Sequence, residues 1–104
     1  MKFEQFIDNH WEFSAKTFGP SPNRYIGVLK HLELEIEEVR RDPTDAEEWA
    51  DLVHLVVDGM LRATGCSGEE FVKVLEAKAR KIRAREYPAW QTISPTDPIE
   101  HKRD

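Results

Sequence analysis

Apolar residues recur at the three- and four-residue spacing of a helix face along most of the chain. The first run contains Phe3, Ile7 and Trp11 and stops at the Gly-Pro break that begins at residue 19. A second run must end before Pro43, because the residue preceding a proline avoids the helical region. The apolar seam of this second helix consists of Tyr25, Leu29, Leu32, Ile36 and Val39.

Two capping boxes predict where a third and a fourth helix begin. In the first box Thr44 is expected to be the N-cap, with the side chain of Glu47 reaching back to it. Residues 67–70 form the second box. Gly65 is expected to end the third helix, and Pro88 sets the outer limit of the fourth. The inward stripe of the fourth helix is predicted to be Val72, Leu75, Ala79 and Ile82.

Together these segments predict an all-α protein, a four-helix bundle with an irregular C-terminal tail over residues 89–104. No stretch alternates apolar and polar residues with period two, so no β-strand is expected. A chain of 104 residues predicts one domain covering residues 1–104. The third helix is expected to be central, because the segment from Trp49 to Leu61 is apolar on most sides.

The charge is acidic overall but unevenly distributed. The formal net charge is −5, which argues against nonspecific nucleic-acid binding. Nine acidic residues lie between residues 33 and 51, whereas six basic residues lie between residues 73 and 85. One segment is therefore expected to attract cations and the other to attract anions.

The remaining composition points to an intracellular, non-membrane protein. Cys66 is the single cysteine, so no disulfide framework is possible within the chain. The N-terminus carries acidic residues early and lacks the apolar region of a signal peptide. The longest apolar-rich stretch, residues 52–61, is too short to span a bilayer. We therefore expect a cytoplasmic location.

Two pairs of carboxylates stand on either side of the predicted turn between the second and third helices. Glu35 and Glu38 are three residues apart and share one helix face, and Glu48 and Asp51 repeat that spacing. A short connection makes the two helices antiparallel neighbours, so both pairs fall at similar heights. Such a cluster of like charges is costly without a cation. Mg²⁺, or Mn²⁺ in its place, is the natural partner for these oxygen ligands.

An alternative interpretation of the acidic pairs stays open. One Glu-x-x-Glu pair on a surface helix is usually a solvated face, and only the second pair at matching height favours a metal site. His54 follows Asp51 by three residues and suggests a metal pair, but no Glu-x-x-His motif accompanies it. We therefore expect His54 to contact a neighbouring helix.

Two further polar residues are candidate substrate contacts. Asp58 lies seven residues after Asp51 and shares roughly the same helix face. It either supports the substrate or is an ordinary hydrogen-bonded carboxylate before Gly59. His31 precedes Glu35 by four residues and would orient that carboxylate or touch substrate. A simple contact between helices is the alternative for His31.

The predicted fourth helix carries a basic stripe. Lys78, Lys81 and Arg85 step by three and four residues, so they share one face. Lysine and arginine on such a face would bind phosphate groups. The alternative is a solvated face whose positive charges suit the C-terminal end of the helix.

The sequence resembles the MazG-like all-α nucleoside triphosphate pyrophosphatases. The likeness is greater to their dATP/dGTP diphosphohydrolase branch, which is often found in phage and prophage genomes. It covers nearly the whole chain, in order, and this colinearity is more specific than any one motif. The matching segments are Thr17-Phe18-Gly19-Pro20, Gly27-Val28, His31-Leu32, Glu35-x-x-Glu38, Asp42-Pro43-Thr44-Asp45, Glu48-Trp49-Ala50-Asp51, Asp58-Gly59, Lys78 to Pro88, and Ile99-Glu100-His101-x-Arg103-Asp104.

The resemblance implies hydrolysis of a (deoxy)nucleoside triphosphate, dATP or dGTP first, to the monophosphate and pyrophosphate. It also implies a homo-oligomer, a dimer or tetramer. The Mg²⁺ ligands and catalytic carboxylates would be Glu35, Glu38, Glu48 and Asp51. Substrate contacts would come from Lys78, Arg85, Asp58, His31, His101 and Arg103.

The chain departs from the family pattern at two positions of the later element. Ile82 stands where the family has asparagine, and Tyr87 stands where it has tryptophan. Two alternatives to the purine activity stay open. One is a related pyrophosphatase acting on a pyrimidine or modified nucleotide, and the other is a catalytically silent helical interaction module.

Overall fold

The structure, a computed structural model, describes residues 1–103 of the chain. Asp104, the last residue of the closing segment, lies outside the described residues. The described part contains no strand, which confirms the all-α prediction and is consistent with a four-helix bundle. Its helices are α1 (Phe3–Phe18), α2 (Tyr25–Arg41), α3 (Ala46–Thr64) and α4 (Gly68–Ala84), with short 3₁₀ turns at Pro22–Arg24 and Trp90–Thr92.

Glycine and proline separate the helices where the sequence predicts. Gly19 follows α1 with a φ of 87°, a conformation that favours glycine. Arg41 ends α2 two residues before Pro43, as expected. Gly65 caps α3 in the left-handed conformation, with its N–H bonded to the carbonyl oxygen of Leu61 at 2.9 Å.

One of the two predicted capping boxes is correct and the other is wrong. Ser67 and Glu70 bond reciprocally, each side chain accepting the backbone N–H of the other at 3.1 Å. At the start of α3, however, the N-cap is Asp45, whose carboxylate accepts the N–H of Glu47 at 2.9 Å. The Thr44 hydroxyl instead donates to Asp42 inside the turn. Asp45 is as good a cap as threonine, and it stands one residue nearer the helix.

The chain forms two compact units, residues 1–72 and residues 73–104. The single-domain prediction stays a prediction. In the first unit, α2 and α3 pack along one another, and α3 also contacts α1 and the 3₁₀ turn. The buried core of this unit joins α1, α3 and the first turn of α4. Its buried members are Ile7, Val57, Leu61 and Phe71, with Phe6, Trp11, Met60, Cys66 and Val72 packed around them.

The second unit contains the rest of α4 and the tail. The Lys102 N–H donates to the carbonyl oxygen of Glu86 at 2.7 Å, and the ring of His101 packs against Tyr87. Apart from the turn at Trp90–Thr92, residues 85–103 form no helix, which confirms the irregular tail. Within residues 1–103, no helix is both long enough and apolar enough to cross a membrane.

Several residues of the predicted apolar faces are exposed rather than buried. Leu29 in α2 is 51% exposed, and Trp49 and Val53 in α3 are 52% and 51% exposed. Leu75 and Ile82 of α4 are also exposed, so the prediction that they point inward is wrong for the single chain. Periodicity identifies an apolar face, but it does not determine what covers that face.

Gly68 allows α1 and the start of α4 to approach closely. A Cβ atom at this position would lie 2.4 Å from a carboxylate oxygen of Asp8 and 2.9 Å from the carbonyl oxygen of Glu4. We expect Gly68→Ala to lower the free energy of unfolding by about 1–3 kcal/mol, because the backbone must shift. The matched control is Gly27→Ala in α2, where nothing lies within 4 Å of the added atom. Urea unfolding of both variants tests this, and equal stabilities would contradict it.

Candidate functional site

Three carboxylates converge where α2 and α3 pack together. Glu35 comes from α2, whereas Glu48 and Asp51 come from the first two turns of α3. One oxygen atom from each of the three lies within 4.8 Å of the other two. The turn that joins the helices is fixed locally, because the Trp49 indole N–H donates to the carbonyl oxygen of Pro43 at 2.9 Å. The short turn therefore brings the two acidic motifs together.

Glu38, the fourth predicted ligand, is turned toward a cation of its own helix. Its Oε1 atom accepts a hydrogen bond from Arg41 at 2.7 Å, three residues further along α2. It is not among the three carboxylates that share the cluster. The side chains of this pair are largely exposed, so the ion pair is weak. Its negative charge still contributes to the electrostatics of Glu48.

The surroundings of Glu48 disfavour the ionised form of its carboxyl group. Partial burial raises the pKa of this carboxyl above its usual value, and the negative charges of its neighbours raise it further. These neighbours are, in decreasing order of effect, Asp51, Asp45, Glu38 and Glu35. A set of hard oxygen donors under mutual repulsion fits a divalent cation such as Mg²⁺ or Mn²⁺.

A cavity of about 770 Å³ adjoins the cluster. Its volume lies within the range of about 300–1,000 Å³ that is typical of small-molecule sites. Glu35 and Asp51 line it, so the carboxylates are part of its wall. Aromatic rings of α1, at Phe6, Phe13 and Phe18, give the cavity an apolar surface as well. It therefore combines a cation-binding wall with surfaces suited to a flat ring.

Both predicted substrate contacts of the first unit line the same cavity. His31 is joined to Glu35, with Nε2 and Oε1 3.2 Å apart. Asp58 also lines the cavity, although its side chain is buried. His31 is thus bonded to a cluster carboxylate and lines the cavity, and its role stays a prediction.

Asp58 belongs to a buried hydrogen-bond network that links α1 and α3. One carboxylate oxygen accepts the hydroxyl of Ser14 and lies 3.0 Å from Nε2 of His10. The other accepts Nε of Arg62 at 2.7 Å. Arg62 also donates to Ser14 at 2.8 Å and to the carbonyl oxygen of Gly19 at 2.8 Å. In residues 1–103, every buried polar side-chain atom has a hydrogen-bond partner.

The network keeps Asp58 ionised. Burial by itself would raise the pKa of this carboxyl, but hydrogen bonds from Ser14, Arg62 and His10 outweigh burial, and the Arg62 charge adds to them. The net effect lowers the pKa of Asp58 below its usual value. Asp58 is therefore an acceptor for all three groups.

Three of the predicted basic contacts lie together in the second unit. Arg85, His101 and Arg103 line one groove, and Lys102, which was not predicted, lines it with them. Lys78 does not line this groove and is exposed on α4. Glu86 also lines the groove, so its one negative charge stands against the positive charges of Arg85, Lys102 and Arg103.

Comparison with known protein families gives a match over residues 6–104, to the dATP/dGTP pyrophosphohydrolases. The chain belongs to this family. The resemblance seen in the sequence is thereby confirmed, and the chain is a nucleoside triphosphate pyrophosphohydrolase. The comparisons with curated proteins and with solved structures gave no match.

In this pyrophosphohydrolase, the sequence interpretation missed several residues of the cavity. His10, Ser14, Arg24 and Arg62 all line it. Two signals were available for three of them. His10 and Ser14 are polar residues within the apolar rhythm of the first helix, and Arg62 follows Asp58 by four residues, the spacing of a helical ion pair. The roles of all predicted site residues stay predictions.

Proposed function

We propose that this pyrophosphohydrolase uses Mg²⁺, with Mn²⁺ as a substitute, to hydrolyse dATP and dGTP to the monophosphate and pyrophosphate. The observation that carries the proposal is the convergence of Glu35, Glu48 and Asp51 beside a cavity that Glu35 and Asp51 line. A carboxylate cluster under mutual repulsion is suited to holding divalent cations, and a triphosphate needs such cations to offset its charge.

The carboxylates hold the cation and prepare the attack. Glu35, Glu48 and Asp51 supply oxygen ligands, and Glu38 joins them once it leaves Arg41. A Mg²⁺ ion held by these residues would supply charge neutralisation for the phosphates and Lewis-acid activation of the α-phosphate. One carboxylate of the cluster takes a proton from the attacking water, which bonds to the α-phosphorus. The bond between the α-phosphorus and the bridging oxygen breaks, and pyrophosphate leaves.

Cationic side chains stabilise the departing pyrophosphate. We assign this role to Lys78 and Arg85, with His101 and Arg103 as further contacts, because phosphate oxygens favour such donors. The shared groove of Arg85, His101 and Arg103 supports their acting as a group. His31, bonded to Glu35 at the cavity wall, is the contact nearest the carboxylates in sequence.

The test is pyrophosphate release from the eight common ribo- and deoxynucleoside triphosphates, each with Mg²⁺, with Mn²⁺ and with EDTA. We expect metal-dependent release that is fastest for dATP and dGTP. Preference for a pyrimidine would keep the mechanism and overturn the proposed substrates. Pyrophosphate release in the presence of EDTA would contradict the proposed dependence on a metal ion. No release from any nucleotide would favour a modified substrate or a catalytically silent module.

Metal binding is expected to stabilise the protein even without substrate. A ligand that binds only the folded state adds about 2.7 kcal/mol when present at a hundred times its dissociation constant. We therefore expect the melting temperature to rise as Mg²⁺ is added at constant ionic strength, which scanning calorimetry measures. The same series with Glu48→Gln should show little rise. Equal shifts in both proteins would mean that the cation binds elsewhere.

We also propose that the protein is a homo-oligomer. Exposed apolar side chains of α2 and α3 support this, because a monomer rarely leaves so many in water. They include Leu29, Ile36, Trp49, Val53 and Val56. Light scattering should give a dimer or tetramer, and a monomeric mass at micromolar concentration would contradict the proposal. The phage-type branch, the cytoplasmic location and the lack of nucleic-acid or membrane partners stay predictions.

A further inference from the structure

Two histidine side chains meet in the cavity that Glu35 and Asp51 also line. His10 comes from α1 and His54 from α3, and their ring centroids are 5.8 Å apart. Both line the cavity, and His54 also packs edge-on against the ring of Phe6. Neither ring is bonded to Glu35, Glu48 or Asp51. The pair therefore has no part in the proposed chemistry at the phosphates.

The tautomer of His10 is fixed by Asp58. Its Nε2 atom lies 3.0 Å from a carboxylate oxygen that is ionised and can only accept. Nε2 therefore carries the proton. Nδ1 of the neutral ring then has an acceptor lone pair, and no residue in the described part of the chain uses it.

The tautomer of His54 is fixed in the opposite sense. Its Nδ1 atom lies 2.9 Å from the carbonyl oxygen of Ala50, which also can only accept. Nδ1 therefore carries the proton, and Nε2 of the neutral ring is an acceptor. The cavity thus has two imidazole acceptors and no imidazole N–H left for a ligand.

We infer that the His10–His54 pair recognises the purine base by accepting hydrogen bonds from its exocyclic amino group. The inference rests on the proposed function, because it needs the nucleobase to occupy this cavity. Adenine carries its amino group at C6 and guanine carries its amino group at C2, so two acceptors on different helices can serve both positions. Hypoxanthine has no amino group and keeps only the ring N1–H as a donor on this edge, whereas guanine offers both N1–H and its amino group. The pair therefore favours guanine over hypoxanthine, which leaves one acceptor without a donor.

The size of the selection follows from the cost of an unpaired acceptor. A site built to bond a donor rejects an otherwise matching ligand that lacks it, because the polar atoms of the site lose their partner. His10 is nearly buried, with 14% of its side chain exposed, whereas His54 is exposed. We expect at least about a tenfold preference in kcat/KM for dGTP over dITP, which differ only by the amino group.

The test is to measure kcat/KM of the unmodified enzyme, His10→Phe and His54→Phe with dATP, dGTP and dITP. Phenylalanine keeps the ring but removes both nitrogen atoms. Asp58 keeps Ser14 and Arg62 as partners in the first variant, and His54 is exposed, so both variants should fold. We expect each to lower kcat/KM for dATP or dGTP about tenfold and to narrow the preference for dGTP over dITP, because dITP has no amino group to lose a partner.

The outcomes separate the inference from the function on which it rests. Equal hydrolysis of dGTP and dITP by the unmodified enzyme would overturn the inference and leave the function standing. This comparison needs no variant, so it holds even if a variant fails to fold. Equal losses on all three substrates in folded variants would make the histidines structural and also overturn it. No hydrolysis of any substrate by the unmodified enzyme would remove both.

Discussion

Replacing Glu48 by glutamine is expected to lower kcat by at least about a hundredfold and to leave the fold intact. Glutamine keeps the size of the side chain but removes the charge that would hold the cation. Glu48 contributes one of the three clustered oxygens, and partial burial and the neighbouring carboxylates raise its pKa. Pyrophosphate release at saturating Mg²⁺ measures the loss, and circular dichroism checks the helices.

Glu47→Gln is the matched control for this prediction. Glu47 is the preceding residue of α3, it is exposed, and it is not one of the clustered carboxylates. Its replacement should leave activity near that of the unmodified enzyme. Retained activity in Glu48→Gln, or an equal loss in both variants, would remove Glu48 from the proposed metal site.

The raised pKa of Glu48 also gives the sign of a stability effect. A carboxyl whose pKa is higher in the folded state binds its proton more tightly there than in the unfolded chain. Without metal, the carboxyl of Glu48 ionises as the pH rises from its ordinary pKa through its raised, folded-state pKa. This ionisation lowers the free energy of unfolding. In metal-free buffer at neutral pH, Glu48→Gln should melt no lower than the unmodified protein. A lower melting temperature would contradict the account of a repulsive cluster.

Removing Arg62 is expected to destabilise the protein by about 3–5 kcal/mol. Arg62→Ala leaves the buried carboxylate of Asp58 without its cation and leaves Ser14 without a donor. The segment between α1 and the 3₁₀ turn also loses the contacts of Arg62 with the carbonyl oxygens of Gly19 and Ser21. Urea unfolding followed by circular dichroism measures the loss.

Arg40→Ala is the control for burial. Arg40 forms an ion pair with Glu37, three residues earlier in α2, but both side chains are largely exposed. The loss of unfolding free energy should therefore stay below about 1 kcal/mol. The double variant Asp58→Ala/Arg62→Ala should lose less unfolding free energy than the two single variants lose together, because neither charge is then left unpaired. Strict additivity would contradict a coupled network.

The network also predicts how stability depends on pH. Because the pKa of Asp58 is lower in the folded state, its contribution is fully present above the ordinary carboxylate pKa. It is lost as the pH falls through the lower, folded value. Stability should therefore fall on acidification below the ordinary range, and Asp58→Asn should reduce that fall.

Helix ends were predictable because they depend on local chemistry. Pro43, Gly65 and the Ser67 box each act within a few residues, and each ends or begins a helix as expected. The one error, Thr44 in place of Asp45 as N-cap, arose because two good caps stand next to each other. Sequence periodicity located the apolar faces, but their exposure depends on tertiary packing.

The acidic motifs were predictable because the short turn fixes their relative height. The competing bond between Glu38 and Arg41 was not predicted, although its three-residue spacing is visible in the sequence. The partners of Asp58 were harder to find, since His10 and Ser14 are more than 40 residues away in the chain. Such pairings follow from the packing of α1 on α3, which periodicity alone does not specify.

The most direct test of the central claim is hydrolysis of dATP in water enriched in ¹⁸O, with Mg²⁺ present and mass analysis of both products. Because the water attacks the α-phosphorus, we expect one ¹⁸O atom in dAMP and none in pyrophosphate. The label in pyrophosphate, or formation of dADP and phosphate, would contradict it.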